Sequence, residues 1–412
     1  MNRLPLIWTE LEASVADYAP PDPLRGPTNA QSRERWFNHP ISRPEDIQVI
    51  LYRDHHAWCP YCQKVWLWLE FKRIPYRVEK VTMFCYGQKE AAYIRKVPSG
   101  MLPALELKGK IITESDNILS ALEHAFGELG ASMHGPQALQ YRQLERQLFR
   151  VWCQWLCRPL NPSQSLQAQQ HFTAVAQRVE SALSQTPSPF FFEALSTVDL
   201  VFVPYLERMH SSLFYYKGYN LREAHPIIDR WFGALEAEET YRGTQSDIHT
   251  HAHDLPPQMG GCYVSPDAKQ AQAQSLVDQG PWDAVPDTSA PAPLKASQEA
   301  VYRVIKHHEQ LILLNPCDNL PFDTALRCAL SHLLTTDSYT PPTGTAMGLR
   351  YLRDRISVPR DMGIHAAKQL RQALEYTATL DTQAVQRSPY PIPTQHRYDQ
   401  DPAPFQNPGW RR

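Results

Sequence analysis

The sequence lacks the features that mark several large classes of protein. It has no uninterrupted apolar run of about 18 residues, so we expect no transmembrane helix. Its 41 Lys and Arg are balanced by 43 Asp and Glu, which leaves no basic excess for a nucleic-acid partner. Eight cysteines in 412 residues are too few for a disulfide scaffold and fit a reducing compartment. The N-terminus shows no secretory signal, and a cytoplasmic location is expected.

What the sequence does have is length and proline. A chain of 412 residues suits two or three domains, and 36 prolines indicate much loop. We predict an N-terminal arm over 1–45, a mixed α/β domain over 46–126, an all-helical domain over 137–242 and a Pro-rich, partly helical C-terminal extension over 243–412.

Residues 46–126 show alternating strand and helix patterns in the order β-α-β-α-β-β-α. Lys108-Gly109-Lys110 is typical of a tight hairpin between the last two strands. The predicted elements are strands 47–52, 76–81, 105–107 and 111–113 and helices 59–72, 88–96 and 115–125.

The most informative motif is Trp58-Cys59-Pro60-Tyr61-Cys62, between a predicted strand and a predicted helix. A Cys-x-x-Cys at such a turn is typical of thiol–disulfide chemistry. Cys59 would lie at a helix N-terminus, where unpaired N–H groups favour a thiolate. A zinc half-site is an alternative, but too few further ligands lie nearby, so no metal is predicted. A shared iron–sulfur cluster is another alternative.

Two later segments could hold a peptide-like ligand near this thiol. A cis bond between Leu102 and Pro103 would free the backbone of Leu102 to pair with an extended ligand. Glu114 and Ser115 open the next helix, where Ser115 could bind a carboxylate and Glu114 an ammonium group. A plain helix cap is the alternative interpretation of this pair.

These motifs resemble those of the cysteine-type, omega-like glutathione transferases. The string Trp58–Leu69 and the segment Tyr351–Gly363 are most similar to the iota class of photosynthetic organisms. The resemblance implies a thioredoxin-like N-terminal domain and an all-α C-terminal domain, in which Ser196 and Asp199 match the capping box. Cys62 departs from most omega-like sequences and leaves a one-sulfur or a two-sulfur mechanism open.

The resemblance also implies the site residues. Glutathione would be the co-substrate, and Cys59 and Cys62 would be catalytic. A disulfide, small or in a protein, would be the acceptor, and Trp152 and Trp155 would line its pocket, although a core role is the alternative for both. The implied glutathione contacts are Trp58, Tyr61, Lys89, Leu102, Pro103, Glu114 and Ser115.

The predicted activity is thiol transfer or deglutathionylation, with dehydroascorbate reduction as one variant, through a mixed disulfide of Cys59 with glutathione. The alternative is a protein with little turnover that binds a large planar ligand, a flavin or a porphyrin. A homodimer would be usual for such a protein, and a chloroplast location is the alternative for a plant or algal sequence.

Other cysteines and histidines are given ordinary structural roles. Cys153 and Cys157, one helical turn apart, predict buried apolar positions. His249, His251 and His253 alternate in a region rich in helix breakers, which favours a solvated loop over a metal site.

Overall fold

The computed structural model describes residues 3–382, which divide into two compact units. One unit contains residues 21–274 and 288–290, and the other contains residues 3–20, 275–287 and 291–382. The last part of the predicted extension over 243–412 lies outside the described residues. The four domain limits drawn from the sequence stay predictions.

The larger unit contains a five-stranded mixed sheet with the order β1-β3-β2-β4-β5. The two central strands β2 and β3 are parallel, and the other neighbours are antiparallel. The hairpin turn is Lys108 and Gly109, both with positive φ. The strands are β1 (Glu34–Arg35), β2 (Val49–Asp54), β3 (Tyr76–Val81), β4 (Ala104–Leu107) and β5 (Lys110–Thr113).

Helices follow the strands and then continue without further strands in the described residues. The predicted order β-α-β-α-β-β-α is confirmed, and a helical region follows it. The helices are α1 (Trp8–Ser14), α2 (Pro60–Phe71), α3 (Ala91–Lys96), α4 (Ser115–Phe126), α5 (Pro136–Leu156), α6 (Pro162–Leu183), α7 (Thr197–Lys217), α8 (Leu221–Ala224), α9 (Pro226–Ala237), α10 (Glu239–Arg242), α11 (Ile248–Met259), α12 (Ala268–Gln279), α13 (Ala296–Ile305), α14 (His308–Leu313), α15 (Asn319–Thr335), α16 (Ala346–Arg353) and α17 (Ile364–Thr379).

The segment before the sheet is part of the larger unit. The two-residue strand β1 pairs with β3, and Arg35 forms a buried ion pair with Glu70 of α2 at 2.8 Å. The hydroxyls of Tyr76 and Thr28 donate to the same carboxylate at 2.6 and 2.9 Å. Because a buried charge is costly unless it is paired and hydrogen-bonded, this set holds residues 28–35 against α2.

The helical part of this unit centres on the buried helix α7. Its capping box is present as predicted, because Asp199 accepts from the backbone N–H and the hydroxyl of Ser196, both at 2.8 Å. The indole N–H of Trp231 also donates to Asp199 at 3.0 Å. The start of α7 is therefore fixed by contacts from its own cap and from α9.

The smaller unit is helical and has its own apolar core. Leu326 of α15, Leu349 of α16 and Leu370 of α17 lie in this core, and Leu11 of α1 packs into it. None of the helices within residues 3–382 is long and apolar enough to cross a membrane.

Candidate functional site

Cys59 is the residue that caps the N-terminus of α2. It has an extended backbone (φ −71°, ψ 116°), and Pro60 is the first helical residue. Proline suits this place because its missing N–H would have no partner in the first turn. The remaining N–H groups of that turn face the cap, and they favour a negative charge on the sulfur.

Cys62 lies in the first turn of α2 and is 1% exposed. A hydrogen bond joins its side chain to that of Cys59. Burial raises the pKa of Cys62 well above its ordinary value, and the contact with Cys59 raises it further. Cys62 is therefore a protonated thiol at neutral pH, and it donates its S–H to the sulfur of Cys59.

The turn that carries Cys59 is held from both sides. The backbone N–H of Trp58 donates to Asp54 at 2.7 Å, and the carbonyl of Trp58 accepts from Arg208 of α7 at 2.5 Å. Arg208 is 1% exposed and also donates to the side chain of Gln63 at 3.0 Å. Arg208 was not among the predicted site residues, because 150 positions separate it from Trp58 and no local motif marks it.

The two aromatic residues of the motif point to different surroundings. The ring of Trp58 is fully buried and stacks on His56 with centroids 3.9 Å apart, and Tyr86 meets it edge-on. Tyr61 is 38% exposed and lies edge-on to Tyr205. Tyr61 is thus accessible to a ligand, whereas the buried ring of Trp58 packs inside the domain. Glutathione contacts by either residue stay predictions.

The peptide bond between Leu102 and Pro103 is cis. Among residues 3–382, no hydrogen bond uses the N–H or the C=O of Leu102. Tyr93 connects this segment to the cysteines. Its hydroxyl donates to the carbonyl of Met101 at 2.5 Å, and burial, followed by the electrostatic effect of the nearby cysteine pair, raises the pKa of Tyr93.

Lys89 lies on the same side as the cysteine pair. Its ammonium donates to the carbonyl of Thr82 at 2.8 Å, and its aliphatic stem approaches Gly100 in the loop before the cis bond. Burial lowers the pKa of Lys89, and its electrostatic interaction with the cysteine pair opposes that effect. The half-buried ammonium is therefore within electrostatic range of both sulfurs.

Strand pairing brings Glu114 and Ser115 beside the cis bond. Ala104 of β4 is opposite Thr113 of β5, so the residues next to this pair, Pro103 and Glu114, are neighbours. Glu114 is exposed and has φ 66° and ψ 117°, a conformation that costs a non-glycine residue about 1–3 kcal/mol. Such strain is concentrated at functional sites, which favours a ligand role over a plain cap. Ser115 begins α4 and is 7% exposed.

Trp152 and Trp155 lie in the core of the helical part. They are 1% and 2% exposed, and their indole N–H groups donate to Ser212 at 3.0 Å and to Ser165 at 3.2 Å. This burial favours the core role that the sequence left open for them. The planar-ligand alternative, which was motivated by these residues, gains no support here.

Two structural predictions from the sequence are wrong. His249, His251 and His253 do not lie in a solvated loop, because they are buried in α11, which packs against α7. Cys153 and Cys157, for which a buried apolar role was predicted, are half-buried.

Helix α11 contains Pro256 and Pro257. A proline inside a helix leaves the carbonyl four residues earlier without its helical donor. For Pro256 that carbonyl belongs to Ala252, and the hydroxyl of Tyr216 donates to it at 2.7 Å.

Comparison with known proteins agrees with this geometry. Residues 58–125 match the family described as glutathione S-transferase, N-terminal domain, and residues 143–234 match glutathione S-transferase, C-terminal domain. Glutathione S-transferase L3 of Arabidopsis thaliana is 27% identical over 191 residues, which are 46% of this chain and 79% of the relative. Glutathione S-transferase DHAR2 of the same plant is 24% identical over 190 residues, 46% of this chain and 84% of the relative.

Among solved structures, glutathione transferase Omega 3C from Trametes versicolor is similar to this chain, with 26% identity and a TM-score of 0.42. The similarity covers 50% of this chain and 93% of the Trametes chain. The thioredoxin-like sheet, the helices that follow it and the two family matches agree with one another. Over these two stretches the chain is therefore similar to the N-terminal and the C-terminal domain of glutathione S-transferases.

Proposed function

We propose that this protein is a glutathione-dependent thiol transferase in which Cys59 forms a mixed disulfide with glutathione. The observation that carries the proposal is the position of Cys59, which caps α2 and whose sulfur accepts a hydrogen bond from the buried thiol of Cys62. A helix N-terminus and a thiol donor both stabilise a thiolate, the form of cysteine that attacks disulfides.

The surroundings of Cys59 suit glutathione as the ligand. Leu102 offers a backbone N–H and C=O to an extended peptide, as in the addition of a strand. Ser115, at the start of α4, could donate hydrogen bonds from its hydroxyl and N–H to the α-carboxylate of the γ-glutamyl group. The exposed carboxylate of Glu114 could accept from the ammonium of the same group. Lys89 would place a cation near the other carboxylate of the tripeptide.

The first step is a thiol–disulfide exchange. The thiolate of Cys59 attacks the glutathione sulfur of a mixed disulfide between glutathione and an acceptor thiol. The bond between Cys59 and glutathione forms while the acceptor sulfur leaves as a thiolate and takes up a proton from water. The acceptor is thereby reduced, and the enzyme carries glutathione on Cys59.

A second glutathione would resolve this intermediate. Its thiolate attacks the glutathione sulfur, releases glutathione disulfide and restores the thiolate of Cys59. Cys62 could attack in its place, but burial raises its pKa and keeps it in the unreactive thiol form. We therefore favour the mechanism in which Cys59 alone turns over and Cys62 acts as a hydrogen-bond donor.

Activity with a glutathionylated small thiol tests this assignment. We expect Cys59→Ser to abolish transfer, since serine cannot form the disulfide. We expect Cys62→Ser to keep transfer within about tenfold of the wild type, because its hydroxyl still donates to the sulfur. Transfer that survives in Cys59→Ser contradicts the proposal, and transfer that is lost equally in both variants contradicts the role given to Cys62.

The acceptor is a group that a thiolate can reduce. Dehydroascorbate and disulfides of small molecules or proteins are all acceptors for a thiol that exchanges with glutathione. The flavin, porphyrin and iron–sulfur alternatives, a homodimer, and a cytoplasmic or chloroplast location stay predictions from the sequence.

A further inference from the structure

A second group of thiols lies away from Cys59, where α5, α7 and the segment after α11 meet. Cys157 follows the last residue of α5, and its N–H donates to the carbonyl of Cys153 at 2.9 Å, so the two are one turn apart. A hydrogen bond also joins their side chains. Cys262 and Lys217 are the other members of the group, and both act electrostatically with Cys157.

Backbone hydrogen bonds bring Cys262 to this place. The N–H of Tyr263 donates to the carbonyl of Leu156 at 2.9 Å, so Cys262 and Cys157 are each next in sequence to a member of this bonded pair. Gly260 ends α11 in the left-handed conformation and Gly261 has φ 136°, and this turn delivers Cys262 to the end of α5.

A second bond of the same kind brings this segment to Lys217. The N–H of Ser265 donates to the carbonyl of Tyr216 at 2.9 Å, and Lys217 is the next residue and the last of α7. The segment 262–265 therefore bridges the ends of α5 and α7.

The charges around Cys157 favour its thiolate. The hydrogen bond from Cys153, the largest effect, lowers the pKa of Cys157, and the charge of Lys217 lowers it too, whereas burial opposes both. The C-terminal end of α5 disfavours an anion, but a hydrogen bond donated to a charged sulfur is the stronger of the two effects.

The other groups stay protonated. Burial, and then the charge of Cys157, raise the pKa of Cys262, and the hydrogen bond with Cys157 raises the pKa of Cys153. Burial lowers the pKa of Lys217 to about 8, so the lysine is still largely a cation at pH 7. The arrangement is one cysteine whose pKa is lowered, a cation beside it and two thiols.

The cysteines of this group are accessible, and two of them come from different elements. Cys153, Cys157 and Cys262 are half-buried, whereas Cys59 and Cys62 are buried. A reactive cysteine that is partly exposed, next to a cation and close to a second thiol is typical of redox-sensitive sites.

We propose that Cys157 and Cys262 form a second redox site, which glutathione disulfide oxidises to an intramolecular disulfide. The thiolate of Cys157 attacks glutathione disulfide, its bond to one glutathionyl sulfur forms, and the other glutathione leaves as a thiolate. That thiolate takes the proton of Cys262. The sulfur of Cys262 then attacks Cys157, and the second glutathione leaves. Two thiols are oxidised, and one glutathione disulfide is reduced to two glutathione molecules.

This site is independent of the proposed function, because no step uses Cys59. The test therefore uses the full chain with Cys59→Ser, treated with glutathione disulfide and analysed by mass spectrometry after alkylation of the free thiols. We expect a peptide pair linked through Cys157 and Cys262. With Cys262→Ser added, we expect Cys157 to carry one glutathionyl group, since its resolving thiol is gone.

The lysine gives a second measurement. While the pKa of a thiol lies above the pH, each unit by which it falls raises the thiolate fraction about tenfold and lowers the reactivity of the thiolate about threefold, so the net rate rises. Because the charge of Lys217 lowers the pKa of Cys157, Lys217→Met should slow oxidation of Cys157 at pH 7. Lys217→Arg should oxidise at the rate of the protein that keeps Lys217, because arginine keeps the positive charge.

The matched control is Cys317, which is also half-buried. Burial raises the pKa of Cys317, whereas the pKa of Cys157 is lowered. It should react at least tenfold more slowly than Cys157. The absence of a link between Cys157 and Cys262, equal reaction at Cys317, or an unchanged rate in Lys217→Met would each overturn the proposal. Circular dichroism of each variant shows that the fold is kept.

Discussion

Removal of Arg208 tests how much the turn that holds Cys59 contributes to activity while the sulfur of Cys59 is kept. In Arg208→Met, the carbonyl of Trp58 and the side-chain oxygen of Gln63 lose their donors, at 2.5 and 3.0 Å in the wild type. Each buried oxygen left without a donor costs about 1–3 kcal/mol. Part of this loss is offset, because the variant no longer has the desolvation penalty of a buried guanidinium. We expect the free energy of unfolding to fall by about 2–4 kcal/mol.

The effect on catalysis should be larger than a loss of stability alone would give. The carbonyl of Trp58 immediately precedes Cys59, and a loosened turn moves the sulfur relative to the bound disulfide. A displacement of about 1 Å can cost on the order of 100-fold in rate, so we expect thiol transfer to fall about 10- to 100-fold under conditions in which the variant is folded.

Two further substitutions make this experiment decisive. Arg208→Lys keeps the charge but loses the planar fork, so its rate should lie between those of the wild type and Arg208→Met. Arg230→Met is the matched control, since Arg230 is exposed and, within residues 3–382, donates to a backbone carbonyl, that of Ser188. Chemical denaturation and initial rates give both quantities. An Arg208→Met protein with wild-type stability and rate would refute the reasoning.

Two other predictions concern the same unit. Burial raises the pKa of Glu236, but the hydrogen bonds and charge of Arg222 outweigh burial and lower the folded pKa overall. The stability that results is fully present above about pH 4.3, the unfolded pKa, and is lost as the pH falls through the folded pKa. This pH dependence should vanish in Glu236→Gln when the free energy of unfolding is measured against pH. Gly218→Ala would place a Cβ 2.5 Å from the backbone nitrogen of Gln270. It should lower the unfolding free energy more than Gly109→Ala, which costs about 1–2 kcal/mol and whose added Cβ meets no atom of the described residues within 4 Å. Equal losses in the two variants would contradict the steric argument.

The sequence predicted the parts of the site that depend on local signals. Cys59 at a strand-to-helix turn and a helix that begins at Ser115 both follow from a few neighbouring residues. The cis bond before Pro103 was implied by the family resemblance. The strained backbone of Glu114 was not predicted, because glutamate carries no preference for positive φ.

The contacts that could not be predicted are those between distant segments. Arg208 meets Trp58 across 150 positions, and the two-residue strand β1 is too short to show a period. The interpretation of 249–253 as a loop failed because a tertiary hydrogen bond, from Tyr216 to Ala252, replaces the donor that Pro256 lacks. Pairing across the fold determined these features, and sequence spacing does not report it.

The measurement that tests the central claim most directly is the identification of the sulfur that binds glutathione first. The wild-type protein would be mixed briefly with a glutathionylated small thiol, quenched with acid and analysed as peptides by mass spectrometry. The account predicts one glutathionyl group on Cys59 at the earliest time, with Cys62 unmodified. Early modification of another cysteine, with Cys59 still reduced, would contradict it.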